Sequence, residues 1–128
     1  MSSKTILVVD DDDAIRTLLV DAFSDAGYQV ISAASGEEAL EKALGRNLQV
    51  MFLDLKLPGI NGLELGRRLR KDNPISVIYA VTGYVSLFEL ADCREAGFDD
   101  YFTKPVSLST LIKAAEQAFE KLERWRKK

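Results

Sequence analysis

Histidine is absent from this 128-residue sequence, and cysteine occurs only once, as Cys93. Without histidine, the chain can carry no histidine-based catalytic triad, no histidine-containing zinc site and no phosphohistidine. A single cysteine cannot form an internal disulfide bond, which is typical of proteins in a reducing cytoplasm. These absences remove several classes of enzyme and carrier protein, and they favour a cytoplasmic location.

Long apolar runs and an excess of basic residues are also missing. No run approaches the roughly 20 residues of a membrane-spanning helix, and the amino terminus has no signal-peptide core. The 17 basic and 20 acidic residues give a formal net charge of -3, so no broad basic surface is expected for binding nucleic acid. We therefore expect this domain to bind neither membranes nor nucleic acid.

The composition is that of a folded protein, since 47% hydrophobic and 29% charged residues is a balance typical of globular domains. A chain of this length forms one domain with one core and is too short for two ordinary domains. No linker, repeat or low-complexity tract interrupts it. We expect a single domain over residues 1–128, with a basic tail at residues 124–128 that frays.

Short apolar runs alternate with helical patterns along the whole chain. The runs predict five strands, at residues 5–9, 29–34, 50–53, 77–81 and 101–103, each followed by an amphipathic helix. Such repeats with short connections form a parallel sheet with helices on both faces. The predicted fold class is therefore α/β: a doubly wound, five-stranded parallel sheet of (βα)5 topology in the flavodoxin-like order 2-1-3-4-5.

Local signals mark the first two helices. Their predicted apolar faces include Leu18 in the first helix and Leu44 in the second. Gly27 is placed to end the first helix in the left-handed conformation. Ser35 and Glu38, three residues apart, predict a capping box at the start of the second helix.

Polar residues that could carry chemistry lie at the carboxyl ends of four predicted strands: Asp10 with Asp11, Asp54, Thr82 and Lys104. In the order 2-1-3-4-5 these four strands are neighbours, and ligands bind at this edge of such sheets. Three converging carboxylates repel each other by roughly 4 kcal/mol per pair at 4 Å and an effective dielectric constant near 20. A cation is therefore required, and oxygen ligands without sulfur or imidazole select Mg²⁺ or Mn²⁺.

The same residues suggest phosphoryl chemistry. Asp54 could act as a nucleophile, because a carboxylate can carry a phosphoryl group as an acyl phosphate. Lys104 could pair with a phosphoryl oxygen, and Thr82 could donate a hydrogen bond to another. Each residue alone has an ordinary explanation: the acidic run at residues 10–13 could be only a helix start, and Asp54 could be a turn former. Thr82 and Lys104, taken singly, are typical surface residues.

Four segments resemble the receiver domains of bacterial two-component response regulators. They are residues 8–11 (VVDD), 54–59 (DLKLPG), 82–83 (TG) and 104–105 (KP), and the similarity extends over essentially the whole chain in order and spacing. The resemblance implies that Asp54 receives a phosphoryl group from a sensor histidine kinase or a histidine phosphotransfer protein. It also implies that the protein is a signalling switch rather than an enzyme.

The resemblance further assigns roles to individual residues. It implies that Asp11, Asp54 and the backbone carbonyl of Lys56 bind the metal directly, with Asp10 acting through water. It implies a switch pair in which Thr82 moves toward the phosphoryl group and Tyr101 turns inward. The Lys104–Pro105 peptide bond is expected to be cis, as is usual in this family.

The remaining expectations concern timing and partners. Lys56 and Tyr84 should flank the path of the attacking water, and because both are large they predict slow self-dephosphorylation, consistent with a phosphorelay. The face formed by the fourth helix, fifth strand and fifth helix should bind a downstream protein or output domain, or a second copy in a phosphorylation-dependent dimer. Phe88 could be exposed for partner binding, and Trp125 could be either partner surface or a last core contact.

Three other functions share some of these sequence features. A degenerate receiver would act as an interaction domain without phosphate, but all the site positions are intact here. A phosphatase of the haloacid-dehalogenase type needs a second acid two residues after its nucleophile, where this chain has Lys56. A flavodoxin-like FMN carrier needs a Ser/Thr/Gly-rich first loop, whereas this one is rich in aspartate and would repel phosphate.

Overall fold

The computed structural model describes residues 4–83 and 86–126, apart from the side chain of residue 88. Five strands form one parallel sheet in the order β2-β1-β3-β4-β5, which confirms the predicted topology. The strands are β1 (Thr5–Val9), β2 (Gln29–Ala33), β3 (Val50–Leu53), β4 (Val77–Thr82) and β5 (Asp100–Thr103). The helices are α1 (Asp13–Asp25), α2 (Gly36–Ala43), α3 (Gly62–Asp72), α4 (Leu87–Ala96) and α5 (Leu108–Arg126).

The two faces of the sheet are covered by different helices. On one face, Leu53 and Ile78 pack with residues of α2, α3 and α4, including Leu65. On the other, Phe52 packs with residues of α1 and α5, including Phe23. All four residues of β3 and all six of β4 are buried, because central parallel strands are covered on both sides. This arrangement explains why the strands could be recognised as continuous apolar runs.

Two expectations about helix faces were wrong. The side chains of Leu18 and Leu44 are exposed, at 56% and 78% of their full accessible surface. Leu18 lies in α1 beside the buried Leu19 and outside the narrower stripe that the sheet covers. Leu44 is the C-cap of α2, where the backbone leaves the helical conformation, with φ of -59° and ψ of 126°. Gly27 does adopt the expected left-handed conformation, with φ of 99°.

The predicted capping box is only half formed. The Ser35 hydroxyl accepts a hydrogen bond from the Glu38 N–H, but the Glu38 carboxylate accepts from the N–H of Ala34 rather than that of Ser35. A complete capping box joins Ser86 and Glu89 at the start of α4, and it was not among the predicted caps. The chain geometry before the helix therefore decides which N–H the carboxylate reaches.

The carboxyl-terminal helix is longer than expected. α5 continues through Arg126, so residues 124–126 of the predicted basic tail are helical, and the fraying of this tail stays a prediction. Trp125 lies on this helix with 66% of its surface exposed. No helix within residues 4–83 and 86–126 combines the length and apolar character needed to cross a membrane.

Arg70, near the end of α3, contacts several segments at the edge of the sheet where the strands begin. Its guanidinium donates hydrogen bonds to the carbonyls of Gly97, at 2.7 and 3.0 Å, and Ser76, at 2.6 Å. It also pairs with the Asp99 carboxylate at 2.8 Å. The same Asp99 oxygen accepts a hydrogen bond from the N–H of Ile78 in β4. One side chain thus ties α3 to the end of α4 and the entry to β5.

Candidate phosphoryl and metal site

The site lies at the carboxyl edge of the sheet, where four neighbouring strands end. Asp10 directly follows β1, and the Asp54 N–H donates to the carbonyl of Val9 at 2.9 Å. Thr82 is the last residue of β4, and its carbonyl accepts a hydrogen bond from the Lys104 N–H at 2.7 Å. The parallel pairing therefore brings the predicted residues to one edge.

Three carboxylates converge there. One oxygen from each of Asp10, Asp11 and Asp54 lies within 4.8 Å of the others. Asp10 and Asp54 are buried, at 2% and 6% exposure, whereas Asp11 is exposed. This donor set consists of oxygen atoms open to solvent on one side, which suits a hard divalent cation that keeps several waters. The cluster fits the predicted magnesium or manganese site.

Lys104 lies between two of these carboxylates. Its Nζ is 2.9 Å from Asp10 Oδ2 and 3.1 Å from Asp54 Oδ2. Burial lowers the pKa of Lys104, but the hydrogen bonds to Asp10 and Asp54 outweigh it, and the net shift is upward. The ammonium is therefore charged at neutral pH and compensates part of the negative charge. The Lys104–Pro105 peptide bond is cis, as expected.

Asp54 is held at both of its carboxylate oxygens. Oδ2 faces Lys104, and Oδ1 accepts a hydrogen bond from the Lys56 N–H at 3.0 Å. Burial raises the pKa of Asp54 above its usual value, although the Lys56 N–H and the Lys104 ammonium oppose the rise. The carboxylate is thus in a less solvated position than a surface aspartate, with its orientation fixed by two donors.

Asp10 has contacts that no pattern in the sequence predicts. Its Oδ1 accepts a hydrogen bond from the Asp12 N–H at 2.9 Å, and its carbonyl accepts one from Arg16 at 2.9 Å. Asp12 is in turn the N-cap of α1, accepting from the N–H groups of Ala14 and Ile15. The acidic run therefore has two parts: Asp10 and Asp11 contribute to the cluster, and Asp12 starts the helix.

The loop after Asp54 is fixed from two sides. The Glu37 carboxylate, at the start of α2, accepts a hydrogen bond from the Ile60 N–H at 3.0 Å. Gly62, the first residue of α3, approaches the backbone of Asp54 so closely that a Cβ there would overlap the Asp54 carbonyl oxygen. Neither contact has a sequence signal, because both depend on how the loop folds back.

The remaining predicted residues have varied settings. The Thr82 side chain is fully buried. Tyr101 is 40% exposed on the edge strand β5. The Lys56 ammonium is largely exposed and pairs with Glu89 of α4 at 3.6 Å. Tyr84 and the side chain of Phe88 lie outside the described residues, so the expectations about them stay predictions.

Comparison with known proteins identifies the family. Residues 6–116 match the response regulator receiver domain. The chain belongs to this family. The receiver domain is 34% identical over 118 residues to sporulation initiation phosphotransferase F of Bacillus subtilis. The aligned region covers 91% of this chain and 94% of that protein. It is 38% identical over 107 residues to a cyclic di-GMP phosphodiesterase of Thermotoga maritima, covering 84% of the chain. That match spans only 28% of the phosphodiesterase.

Solved structures show the same fold. The receiver domain superimposes on a CheY-like receiver domain protein from Methanospirillum hungatei with a TM-score of 0.92 and 34% identity, covering 96% and 98% of the two chains. It also matches a response regulator protein from Burkholderia pseudomallei with a TM-score of 0.82 and 31% identity, over 94% and 75% of the chains. That structure contains a phosphorylated aspartic acid, a calcium ion and citrate.

Proposed function

We propose that this receiver domain accepts a phosphoryl group on Asp54 from a phosphohistidine of a sensor histidine kinase or a histidine phosphotransfer protein. The observation that carries the proposal is the position of Asp54: a buried carboxylate contacted by Lys104 and grouped with the carboxylates of Asp10 and Asp11. Desolvated ionisable groups with specific charge partners cluster at functional sites. A related receiver with a phosphorylated aspartic acid supports this function.

The transfer follows from the chemistry of the groups. A carboxylate oxygen of Asp54 attacks phosphorus, so a P–O bond forms as the P–N bond to the donor histidine breaks. The histidine nitrogen keeps the electron pair of the broken bond and takes up a proton. Lys104 Nζ, now shared between Asp10 and Asp54, would pair with a phosphoryl oxygen. The buried Thr82 hydroxyl would donate to another, and the protein thereby supports its own phosphorylation.

The metal site forms part of the proposal. Asp11, Asp54 and the backbone carbonyl of Lys56 would hold Mg²⁺ or Mn²⁺ directly, with Asp10 acting through water. A bound divalent cation neutralises phosphoryl oxygens during transfer. Removal of the cation with a chelator should therefore prevent phosphorylation of Asp54 without unfolding the domain.

The response to phosphorylation would be read on α4, β5 and α5. Thr82 and Tyr101 form the proposed switch pair, and Tyr101 on β5, which is 40% exposed, would turn inward. A downstream protein, an output domain or a second copy would bind this face. The phosphotransferase named among the relatives supports onward transfer to a histidine protein.

Phosphorylation by acetyl phosphate tests the proposal. With Mg²⁺, the wild-type protein is expected to gain one phosphate, and Asp54→Asn none, as measured by intact-protein mass spectrometry. The modification should be labile to hydroxylamine, which cleaves acyl phosphates. If the wild-type protein gains no phosphate, the domain is a degenerate receiver that acts as an interaction module, the main alternative. Phosphate release from phosphate monoesters at enzymatic rates would instead favour a phosphatase.

The lifetime of the phosphoryl group gives a second prediction. Lys56 and Tyr84 are large residues at positions that flank the path of the attacking water in this family. Lys56→Asn combined with Tyr84→Ala is expected to shorten the half-life of the phosphorylated protein by about tenfold, which corresponds to about 1.4 kcal/mol of activation free energy. The half-life is measured by the loss of phosphate after removal of acetyl phosphate. An unchanged half-life would contradict this role.

A further inference from the structure

Lys56 contacts both the phosphorylation site and helix α4. Its backbone N–H donates to Asp54 Oδ1 at 3.0 Å, and its side-chain Nζ lies 3.6 Å from Glu89 Oε2. The side chain is 67% exposed and carries its charge on a flexible four-carbon stem, so the ammonium is able to change partners. A single residue therefore links the phosphate-accepting carboxylate to the start of α4.

Glu89 uses its two oxygens for different contacts. Oε1 accepts a hydrogen bond from the Ser86 N–H at 3.3 Å, and the Ser86 hydroxyl accepts from the Glu89 N–H at 3.1 Å. These two bonds form the capping box that starts α4. Oε2 is the oxygen that faces Lys56. The ion pair thus attaches the first turn of α4 to the loop after Asp54, in addition to the cap.

We propose that Glu89 is a positioning residue that competes with the phosphoryl group on Asp54 for the ammonium of Lys56. Phosphorylation would draw Lys56 from Glu89 to the phosphoryl oxygens and so release one of the contacts that hold the first turn of α4. This inference rests on the proposed function of Asp54 and adds to it a second connection, besides Thr82, between Asp54 and α4.

Charge and exposure favour this competition. A phosphoryl group carries about two negative charges at neutral pH, against one on Glu89, and it would sit on the residue that Lys56 already contacts. The ion pair with Glu89 is solvated on both sides, at 67% and 35% exposure, and exposed pairs of this kind are weak. Lys56 can therefore leave Glu89 for the phosphoryl group at a small cost in free energy, whereas a buried salt bridge would resist such an exchange.

Thermodynamic linkage gives the sign of the effect. If Lys56 must leave Glu89 to bind the phosphoryl group, then removing the Glu89 charge makes phosphoryl binding more favourable. Glu89→Gln is the suitable change, because the amide oxygen can still accept from the Ser86 N–H and so preserve the cap. Glu95→Gln is the matched control: Glu95 lies on the same helix and forms an ion pair of similar length, 3.9 Å, with Arg67.

The experiment measures the affinity for beryllium fluoride, a phosphoryl mimic, by calorimetry with Mg²⁺ present. Glu89→Gln is expected to bind about two- to fivefold more tightly than wild type, the range given by an exposed ion pair, and Glu95→Gln to bind like wild type. In a Lys56→Met background the effect of Glu89→Gln should disappear. Amide exchange in the first turn of α4 should increase when beryllium fluoride binds to wild type.

The possible outcomes separate this inference from the proposed function. If wild type neither binds beryllium fluoride nor gains phosphate, the proposed function fails. If wild type binds it, but Glu89→Gln binds no more tightly than Glu95→Gln, only the competition for Lys56 is overturned. A tighter Glu89→Gln that keeps its advantage in the Lys56→Met background also overturns it, because the effect would then not pass through Lys56.

Discussion

Lys104→Met is expected to lower the free energy of unfolding by about 3 kcal/mol at neutral pH without divalent cations, as loss of one partner from a buried ion pair does. Lys104 Nζ lies between Asp10 and Asp54, at 2.9 and 3.1 Å, and both carboxylates are buried. Without the ammonium, two buried negative charges face each other with Asp11 nearby. Urea denaturation at pH 7 in the presence of a chelator measures the loss.

The pH dependence of this loss has a definite direction. The pKa of Lys104 is raised, so its contribution is complete below the usual lysine pKa and is lost only as the pH rises through the raised pKa. On the acid side, burial raises the pKa of Asp54, so Asp54 takes up a proton earlier than a solvated aspartate as the pH falls. The difference between Lys104→Met and wild type should therefore narrow toward acidic pH.

Two further variants test the cause. Lys56→Met removes an exposed lysine whose ion pair with Glu89 is solvated, and its expected loss is below about 1 kcal/mol. Adding Asp54→Asn to Lys104→Met should recover much of the stability, because it removes one of the two unpaired charges. Equal losses of unfolding free energy in Lys104→Met and Lys56→Met would contradict the electrostatic account. A difference in stability between Lys104→Met and wild type that grows at low pH would contradict it as well.

Gly62→Ala is expected to destabilise the domain by about 3 kcal/mol, the upper part of the usual range for overpacking. A Cβ at this position would overlap the Asp54 carbonyl oxygen and lie 2.6 Å from the Leu55 Cα. Both atoms belong to the backbone, so no side chain can rotate away. The segment that carries Asp54 would have to shift, and phosphorylation by acetyl phosphate should slow as well.

The direction of the stability change separates two effects of this substitution, because Gly62 is also the first residue of α3. If only helix propensity mattered, alanine would stabilise the helix by up to about 1 kcal/mol. Gly83→Ala serves as the control for stability, because no atom of residues 4–83 and 86–126, the part of the chain that the structure describes, is recorded within 4 Å of a Cβ there. A Gly62→Ala protein that is as stable as wild type would show that the backbone beside Asp54 can move without penalty.

The fold could be predicted because its strands are short runs with a strong signal. β1, β3 and β4 are buried along almost their entire length, so each appears in the sequence as an uninterrupted apolar run. Helix faces were harder, since a periodic pattern does not show how much of a helix the sheet covers. Leu18 and Leu44 are therefore exposed although they continue an apolar pattern.

The candidate site likewise contains residues that the sequence predicts and residues that it does not. Asp10, Asp54, Thr82 and Lys104 could be predicted because the ends of adjacent parallel strands meet at one edge of the sheet. The side chains that hold the surrounding loops could not be predicted: Arg16, Glu37 and Glu89. Glu37 contacts Ile60, 23 residues away, and Glu89 contacts Lys56 across the groove between two elements. Such contacts depend on loop conformations that no local pattern records.

Helix α4 is fastened very differently at its two ends. At its carboxyl end, Arg70 binds the Gly97 carbonyl through two nitrogens and also binds Asp99. At its amino end, the contacts made by the described residues include the cap formed with Ser86 and the exposed ion pair to Lys56. Because Arg70 holds the carboxyl end of α4 through several short hydrogen bonds, we expect any displacement of the helix to be larger near Leu87 than near Gly97. A partner bound across α4 would then detect a tilt of the helix rather than a translation.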